Sequence, residues 1–465
     1  MTMPLSLRVR SPETVVPGGS KAEEIAPVEA ARAGGTKLSA VAKWNDVLIG
    51  AVRNNTSPRG GPTWASRNMA MVQIAVYDAV NAIDGSSAPY ALRERASSKH
   101  ASKAAATAVA AHDVLVELYP EQQASLDAQL TSSLAEINSG PHKDAGMRIG
   151  RLAAEAMKAN RSGDRAVPDP VFTPVNKPGH WQPDPLHPTQ KALGPSWGDV
   201  TPFAMGNRLD FEVPPPPALN SREYTEAYNQ VKSLGAKNSK TRTADMMEVG
   251  NFWAFDRAGL GPPMTMFNQF ARQIAAQRHL PPHEEARLLA MVNMAMADAG
   301  IAGWGAKYDY DLWRPVTAIR AGKTDHNPGT ARDRTWEPHG APAVDPKDNF
   351  TPPFPAYPSG HAIFGGAFFR TLERFFGSNG SDHGGFNLTS EELPGVSRHY
   401  NSFEEASVEN AMSRVYLGVH WLFDCTRGLA TGKKIADRVW QTQMQPAGRP
   451  ADGFSDAQKP SGPVL

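Results

Sequence analysis

Cysteine is nearly absent from this chain. The single Cys425 among 465 residues excludes an intramolecular disulfide, a thiolate metal cluster and a Cys-x-x-Cys-His haem attachment. Any redox chemistry must therefore use something other than thiols or covalently bound haem. An excess of one charge is missing too. The 48 Lys and Arg balance 47 Asp and Glu to a net charge of +1, which argues against a nucleic-acid binder. No run of roughly 20 consecutive apolar residues stands out, so no membrane span is expected. Residues 1–37 lack the apolar stretch of a signal peptide, and the chain reads as soluble, with its location open. Gly-x-x-x-x-Gly-Lys-Ser/Thr, Gly-x-Gly-x-x-Gly and His-Glu-x-x-His are all absent, which withdraws support from nucleotide-binding folds and helical zinc peptidases.

What the chain does have is apolar residues at helical spacing. Ala40, Trp44, Leu48 and Val52 form one such row, and Met69, Val72, Val76 and Ile83 another. Val109, Leu115 and Leu118 stop at Pro120; Leu126, Leu130 and Leu134 stop at Gly140. Helical signals resume over Ser221 to Leu234 and Arg242 to Phe255. The longest begins near Pro282 and runs through Leu288, Met291, Ala295 and Ala299 toward Trp313, where Arg314-Pro315 ends it. The expected fold is all-α: two packed helical bundles with long Pro-rich loops. Residues 1–37 are expected to be a disordered leader, 38–235 an N-terminal bundle, 236–446 a catalytic bundle and 447–465 a disordered tail. Within the first bundle, prolines dominate residues 162–220 and forbid regular helix. Trp181, Trp197, Phe203 and Phe211 are interleaved with them, so this stretch is expected to wrap the helices and to line a substrate entrance. The Pro- and Gly-rich segment from Thr324 to Phe354 is expected to form a second rim. Asp78 and His112 read as core or surface residues rather than ligands.

Three stretches concentrate polar chemistry: Lys307-Tyr-Asp-Tyr-Asp-Leu-Trp-Arg314-Pro315, Pro358-Ser359-Gly360-His361, and Ser413-Arg414 followed by Gly418, His420 and Asp424. The spacing of Lys307 and Arg314 is two helical turns, which predicts one face of one rod. Ser359 stands where an N-cap would, before Ile363, Phe364, Phe368 and Leu372 at helical spacing, with Gly360 as a first-turn backbone donor. Gly418 offers a break between Arg414 and His420, after which Asp424 falls on the face of His420. Taken singly, a Lys–Arg pair is commonly a solvated face, Ser-Gly-His a plain cap, and a His–Asp pair a surface contact. Together they supply three cations, a hydroxyl, a backbone donor and two imidazoles, which is the equipment of an oxyanion-binding active site. Asp298 either orients a site arginine or is a buried polar residue satisfied locally.

The pattern Lys-x6-Arg-Pro, Pro-Ser-Gly-His, Ser-Arg-x5-His-x3-Asp resembles the three-part signature shared by type 2 phosphatidic acid phosphatases, bacterial acid phosphatases and vanadium-dependent haloperoxidases. Phe252-Trp-Ala-Phe-Asp256, Phe267-Asn-Gln-Phe270, Ala295-Met-Ala-Asp298-Ala-Gly300, Pro352-Pro-Phe354 and Tyr416-Leu-Gly-Val-His-Trp421 are similar to the haloperoxidase branch. That resemblance implies vanadate as cofactor, with Lys307, Arg314, Ser359, Gly360, His361 and Arg414 on its oxygens and His420 as the metal ligand. It implies hydrogen peroxide, a halide and a small organic acceptor as partners, His361 in proton transfer, and Lys307 polarising peroxide. Trp304 and Phe354 match an aromatic pair at the halide pocket, and Phe at the latter position leans toward chloride. The alternative is a soluble phosphoesterase in which His420 forms a phosphohistidine, Asp424 orients it and His361 protonates the leaving group. A phosphate-binding scaffold without turnover is disfavoured because both imidazoles are present. A homo-oligomer remains open.

Overall fold

The computed structural model describes residues 38–447 except Pro58, Ala258, Lys323 and His383. The expected leader and nearly all of the expected tail lie outside those residues. The helices among the described residues are α1 (Ala40–Arg53), α2 (Gly61–Asp84), α3 (Lys103–Leu118), α4 (Gln123–Ala135), α5 (Pro141–Arg161), α6 (Arg222–Leu234) and α7 (Ala244–Phe252). They continue with α8 (Pro263–Gln277), α9 (Pro282–Tyr310), α10 (Pro315–Ala321), α11 (Gly360–Phe376), α12 (Phe403–Tyr416) and α13 (Leu422–Thr442). Among the described residues the one sheet is a hairpin of β1 (Phe386–Thr389) and β2 (Ser397–Tyr400), with Phe386 opposite Tyr400. The fold is all-α, as the periodicity predicts.

Side-chain caps set many of these starts. Ser39, Ser102, Ser221, Thr243, Ser359 and Ser402 each accept a first-turn N–H of the helix they precede. The described chain from Ser39 onward groups as one compact unit. One apolar core runs from Val41 on α1 to Met444 beyond α13, and a second gathers Tyr224, Trp313, Tyr357 and Trp421 around the polar stretches. At the centre of the first, α9 packs on α2, α11 and α13, with every residue from Glu285 to Lys307 buried. By length and composition α9 would suit a membrane span, contrary to the sequence expectation, yet its apolar window is enclosed by the protein. A helix buried on all sides is apolar all round whichever medium surrounds it.

Two expectations about α9 need correction. It ends at Tyr310, where Asp311 takes a left-handed φ of 49° and its carboxylate sits 2.9 Å from His180 Nδ1. Arg314 is therefore off the rod. It caps α10 at φ −79°, ψ 156°, because a residue before proline is driven out of the α region. Asp298 orients no arginine of the candidate site. Its carboxylate accepts the N–H groups of Phe203 (2.6 Å), Ala204 (2.8 Å) and Met205 (3.0 Å) and so anchors the Pro-rich wrap to α9. Burial pushes it up to about 6, against the pull of those three amides. The wrap contains only short 3-10 turns at Trp197–Asp199 and Arg208–Phe211. It buries Trp181, Trp197 and Phe203 as expected.

α11 and α13 approach backbone to backbone. A Cβ on Gly432 would lie 2.1 Å from the Ile363 carbonyl oxygen, so only glycine permits this spacing. One turn earlier a Cβ on Gly428 would lie 3.0 Å from the Ser359 carbonyl oxygen, so the two helices stay close toward the start of α11, where two of the three polar stretches meet.

Candidate active site

Backbone hydrogen bonds tie the three stretches together. Ser359 N–H donates to Asp424 O at 3.0 Å and Ala356 N–H to Leu312 O at 2.8 Å, while Val419 N–H to Arg414 O at 3.1 Å closes the turn within the third stretch. Arg314 adds side-chain ties, Nε to Phe354 O at 2.8 Å and Nη1 to Val419 O at 2.7 Å. Gly418 makes the turn out of α12 at φ 76°, and a Cβ there would lie 2.4 Å from the Gly235 carbonyl oxygen. His420 thus lies in the connection before α13 rather than on it. It meets Asp424 through the helix cap, where Asp424 is the third residue and also accepts Trp421 N–H at 3.1 Å.

The partners of His420 define its tautomer. Nε2 lies 3.0 Å from Arg314 Nη1, and Nδ1 lies 2.9 Å from Asp424 Oδ2. A guanidinium nitrogen only donates, so Nε2 carries the lone pair and Nδ1 carries the proton. Burial, then Arg314, Lys307 and Arg414, hold this imidazole well below its ordinary pKa, while burial raises Asp424 to about 7. A neutral imidazole with a directed Nε2 lone pair is equipped to be a metal ligand or a nucleophile. His361 is oriented the other way. Its Nε2 donates to Ala254 O at 2.7 Å, which leaves Nδ1 as the basic nitrogen. Burial and Arg414 lower it to about 3, so it is neutral at pH 7. Asn410 Nδ2 holds the His361 carbonyl at 2.8 Å.

The cations are buried and incompletely satisfied. Arg314 and Arg414 are each 1% exposed, yet Arg314 Nη2 and Arg414 Nε and Nη1 have no acceptor. Buried donors are normally paired, and donors belonging to two charged groups call for an anion. Burial pulls Arg314 down to about 9, which leaves it charged at pH 7. The N–H groups of Gly360 and His361 begin α11 and have no intrahelical acceptor. Among the described residues no group of three or more His, Cys, Asp or Glu side chains is disposed to hold a metal cation. The donor set is that of an oxyanion, and vanadate fits it. Lys307 differs from expectation. Its ammonium donates to the carbonyls of Pro355 (2.9 Å), Ala356 (3.1 Å) and Pro358, so it pins the loop before Ser359 and has no spare N–H. Burial and Arg314 pull its pKa well down, but three carbonyl acceptors require the three donors that only the ammonium form supplies.

These groups border a narrow cavity of about 20 Å³ lined by Gly360, His361, Arg414, His420, Trp304 and Phe354, together with Phe364, Asp256 and the prolines 62, 263 and 352. Arg314, Lys307, Ser359 and Asp424 stand behind that lining. The Trp304 and Phe354 centroids are 5.0 Å apart at 56°. Lys307 Nζ lies 5.5 Å from the first ring and 5.0 Å from the second, cation–π distances that extend its positive field over both. Pro352 and Phe354 confirm the second loop as a rim, whereas the wrap supplies none of the lining residues.

Sequence reasoning missed Asp256, whose carboxylate pairs with Arg414 Nη2 at 2.7 Å. The available signal was an acid at the end of Phe252-Trp-Ala-Phe-Asp256, since a buried arginine requires a counter-charge. Pro62 on α2 was missed as well. The N-terminal half therefore contributes to the rim.

Residues 287–448 match the family model of the VCPO second helical-bundle domain. Vanadium chloroperoxidase of Curvularia inaequalis is 30% identical over 485 residues, spanning 82% of this chain and 78% of that protein. The crystal structure of the first bacterial vanadium-dependent iodoperoxidase superposes with a TM-score of 0.74 at 24% identity, covering 87% of this chain and 97% of that one. A holo-type bacterial vanadium-dependent chloroperoxidase superposes at 0.65 with 18% identity, covering 84% and 95%. At such identities the two structures bear on the fold alone, and that fold is shared along nearly their whole length.

Proposed function

The chain belongs to the vanadium-dependent haloperoxidases, and from that premise we propose that it uses vanadate and hydrogen peroxide to oxidise a halide. The product is a hypohalous acid equivalent that passes to small organic acceptors. One observation carries the assignment to these residues: a directed His420 Nε2 lone pair stands beside buried arginine N–H groups without acceptors. When bound, vanadate supplies a Lewis-acidic centre that activates peroxide without changing oxidation state.

The chain's own groups do the rest. His420 Nε2 is the metal ligand, and Asp424 holds it in the tautomer that ligation requires. Arg314, Arg414, the Ser359 hydroxyl and the Gly360 N–H hold oxyanion oxygens. Lys307 supplies positive potential from behind the aromatic wall, and its ties to the 355–358 loop keep that potential fixed. His361 Nδ1, basic and neutral at pH 7, accepts a proton from incoming peroxide and returns it later. Trp304 and Phe354 exclude water from the halide side. Adding orthovanadate to metal-free protein should produce oxidation that requires both peroxide and halide, and excess phosphate should slow that reconstitution by competing for the same donors. Oxidation without vanadate, or loading indifferent to phosphate, would refute the reading.

Two narrower outcomes are expected. His361→Ala should still bind vanadate, more weakly, while turnover drops by roughly 10²–10⁴-fold, the range of general acid–base groups. Calorimetry for binding and steady-state kinetics for turnover separate the two effects. Phe354 points to chloride competence. Rates with chloride, bromide and iodide at matched pH test this, and activity confined to iodide would refute it.

A further inference from the structure

We infer that Leu193 and Gly194, in the Pro-rich wrap, are positioning residues for the Trp304–Phe354 wall and thereby tune which halide is accepted, a role that rests on the functional reading above. Neither residue lines the cavity; both act through Trp304. The Leu193 carbonyl accepts two hydrogen bonds from successive turns of α9, from Trp304 Nε1 at 3.2 Å and Tyr308 Oη at 2.7 Å. Its N–H donates to Pro353 O at 2.9 Å, the residue before Phe354. A single residue thus ties down both walls of the pocket.

Gly194 completes the clasp. It turns at φ 77°, and a Cβ there would lie 2.4 Å from Trp304 Cδ1 and 2.7 Å from Nε1. Its N–H donates to Asp169 Oδ2 at 2.9 Å, so the turn is held from its far side. The other end of the indole abuts the oxyanion helix, where a Cβ on Gly360 would fall 3.1 Å from Trp304 Cη2. Trp304 is therefore a rigid bar spanning from a glycine of the wrap to the first residue of α11. Close-packed interiors leave such a bar little slack, so a shift of the wrap is carried to the wall that faces the halide. Halides differ in ease of oxidation as well as in radius, but the first difference is the same in wild type and variant, so a moved wall changes the ratio between halides through radius; a pocket discriminates between substrates differing by one methylene by about 10- to 200-fold. A wall moved through an intermediary belongs at the lower end of that range.

The test uses Gly194→Ala and Tyr308→Phe in the full chain, with kcat/KM measured for chloride, bromide and iodide and vanadate affinity measured by calorimetry. Gly194→Ala drives the indole toward Gly360 and narrows the pocket, so the iodide-to-bromide ratio of kcat/KM should fall about tenfold. Vanadate affinity should change less than that ratio, because the substitution reaches the Gly360 donor only through the indole and touches none of Arg314, Arg414 and His420. Tyr308→Phe releases one tether without adding bulk, so it should fold even if Gly194→Ala does not, and its ratio should move the opposite way. A uniform loss with all three halides in both variants would reduce the clasp to a structural tie and overturn its positioning role. Loss of vanadate affinity in step with turnover would overturn it equally. A wild type without vanadate-dependent halide oxidation would refute the functional reading itself. An active wild type with unchanged ratios in both variants would refute only the positioning role.

Discussion

His420→Ala is expected to abolish vanadate-dependent halide oxidation. His420 Nε2 is the lone-pair nitrogen whose ring is fixed by a carboxylate on its other side and which faces Arg314; His361 presents Nδ1 instead, with Nε2 committed to the Ala254 carbonyl, and the arginines only donate. The variant should also lose any phosphoester hydrolysis that proceeds through the same nitrogen. Asp424→Asn tests the cause more finely. A carboxamide can donate to Nδ1 and so favour the tautomer protonated on Nε2, which removes the lone pair from the side facing Arg314. A comparable tautomer error behind a catalytic histidine lowers turnover by up to about 10⁴-fold. The same Oδ2 accepts Trp421 N–H, so an amide turned to donate to Nδ1 also gives up that cap, a loss of about 1 kcal/mol; the fold should persist by circular dichroism while activity drops. Halide oxidation that survives His420→Ala would place the chemistry elsewhere in the chain.

Arg414→Ala should weaken vanadate binding more than the loss of one hydrogen-bond donor would. Removing one partner of a buried charge pair costs about 2–5 kcal/mol, and here the residue left behind is the Asp256 carboxylate, which borders the cavity and would repel the incoming anion. Calorimetry should show a loss of at least about tenfold, the equivalent of 1.4 kcal/mol. Asp256→Asn combined with Arg414→Ala should recover part of it by removing the stranded charge. Unchanged affinity in Arg414→Ala would mean that the three stretches do not serve one anion, and no recovery in the double variant would mean that Asp256 does not face it.

Much of this was legible in the sequence. Periodic apolar residues between Pro and Gly announced α1 to α4, and Ser221 and Ser359 announced the starts of α6 and α11, because caps and breakers act within one turn of the residue that carries them. The row Met264, Phe267, Phe270 and Ile274, buried on α8, was equally readable but went unused. The hairpin left a four-residue alternation in β1 and no buried alternation in β2, where only Tyr400 is buried, too little to distinguish from loop.

The sequence by itself determined which groups are present, in what order, and where most helices begin; it could do so because propensity and capping are local. Tertiary structure decided what those groups do. It set Arg314 against His420 and committed all three Lys307 donors to the loop before Ser359. It chose opposite tautomers for the two histidines, gave Arg414 its counter-charge in Asp256, and used Asp298 to pin the wrap instead of an arginine. Pro315 alone turns Arg314 off the rod, but what Arg314 then meets and most of the other outcomes depend on a partner distant in sequence, 106 residues away for Arg314 and His420 and 158 for Arg414 and Asp256. Hydrogen-bond direction and burial exist only once such partners meet, so no local pattern can encode them.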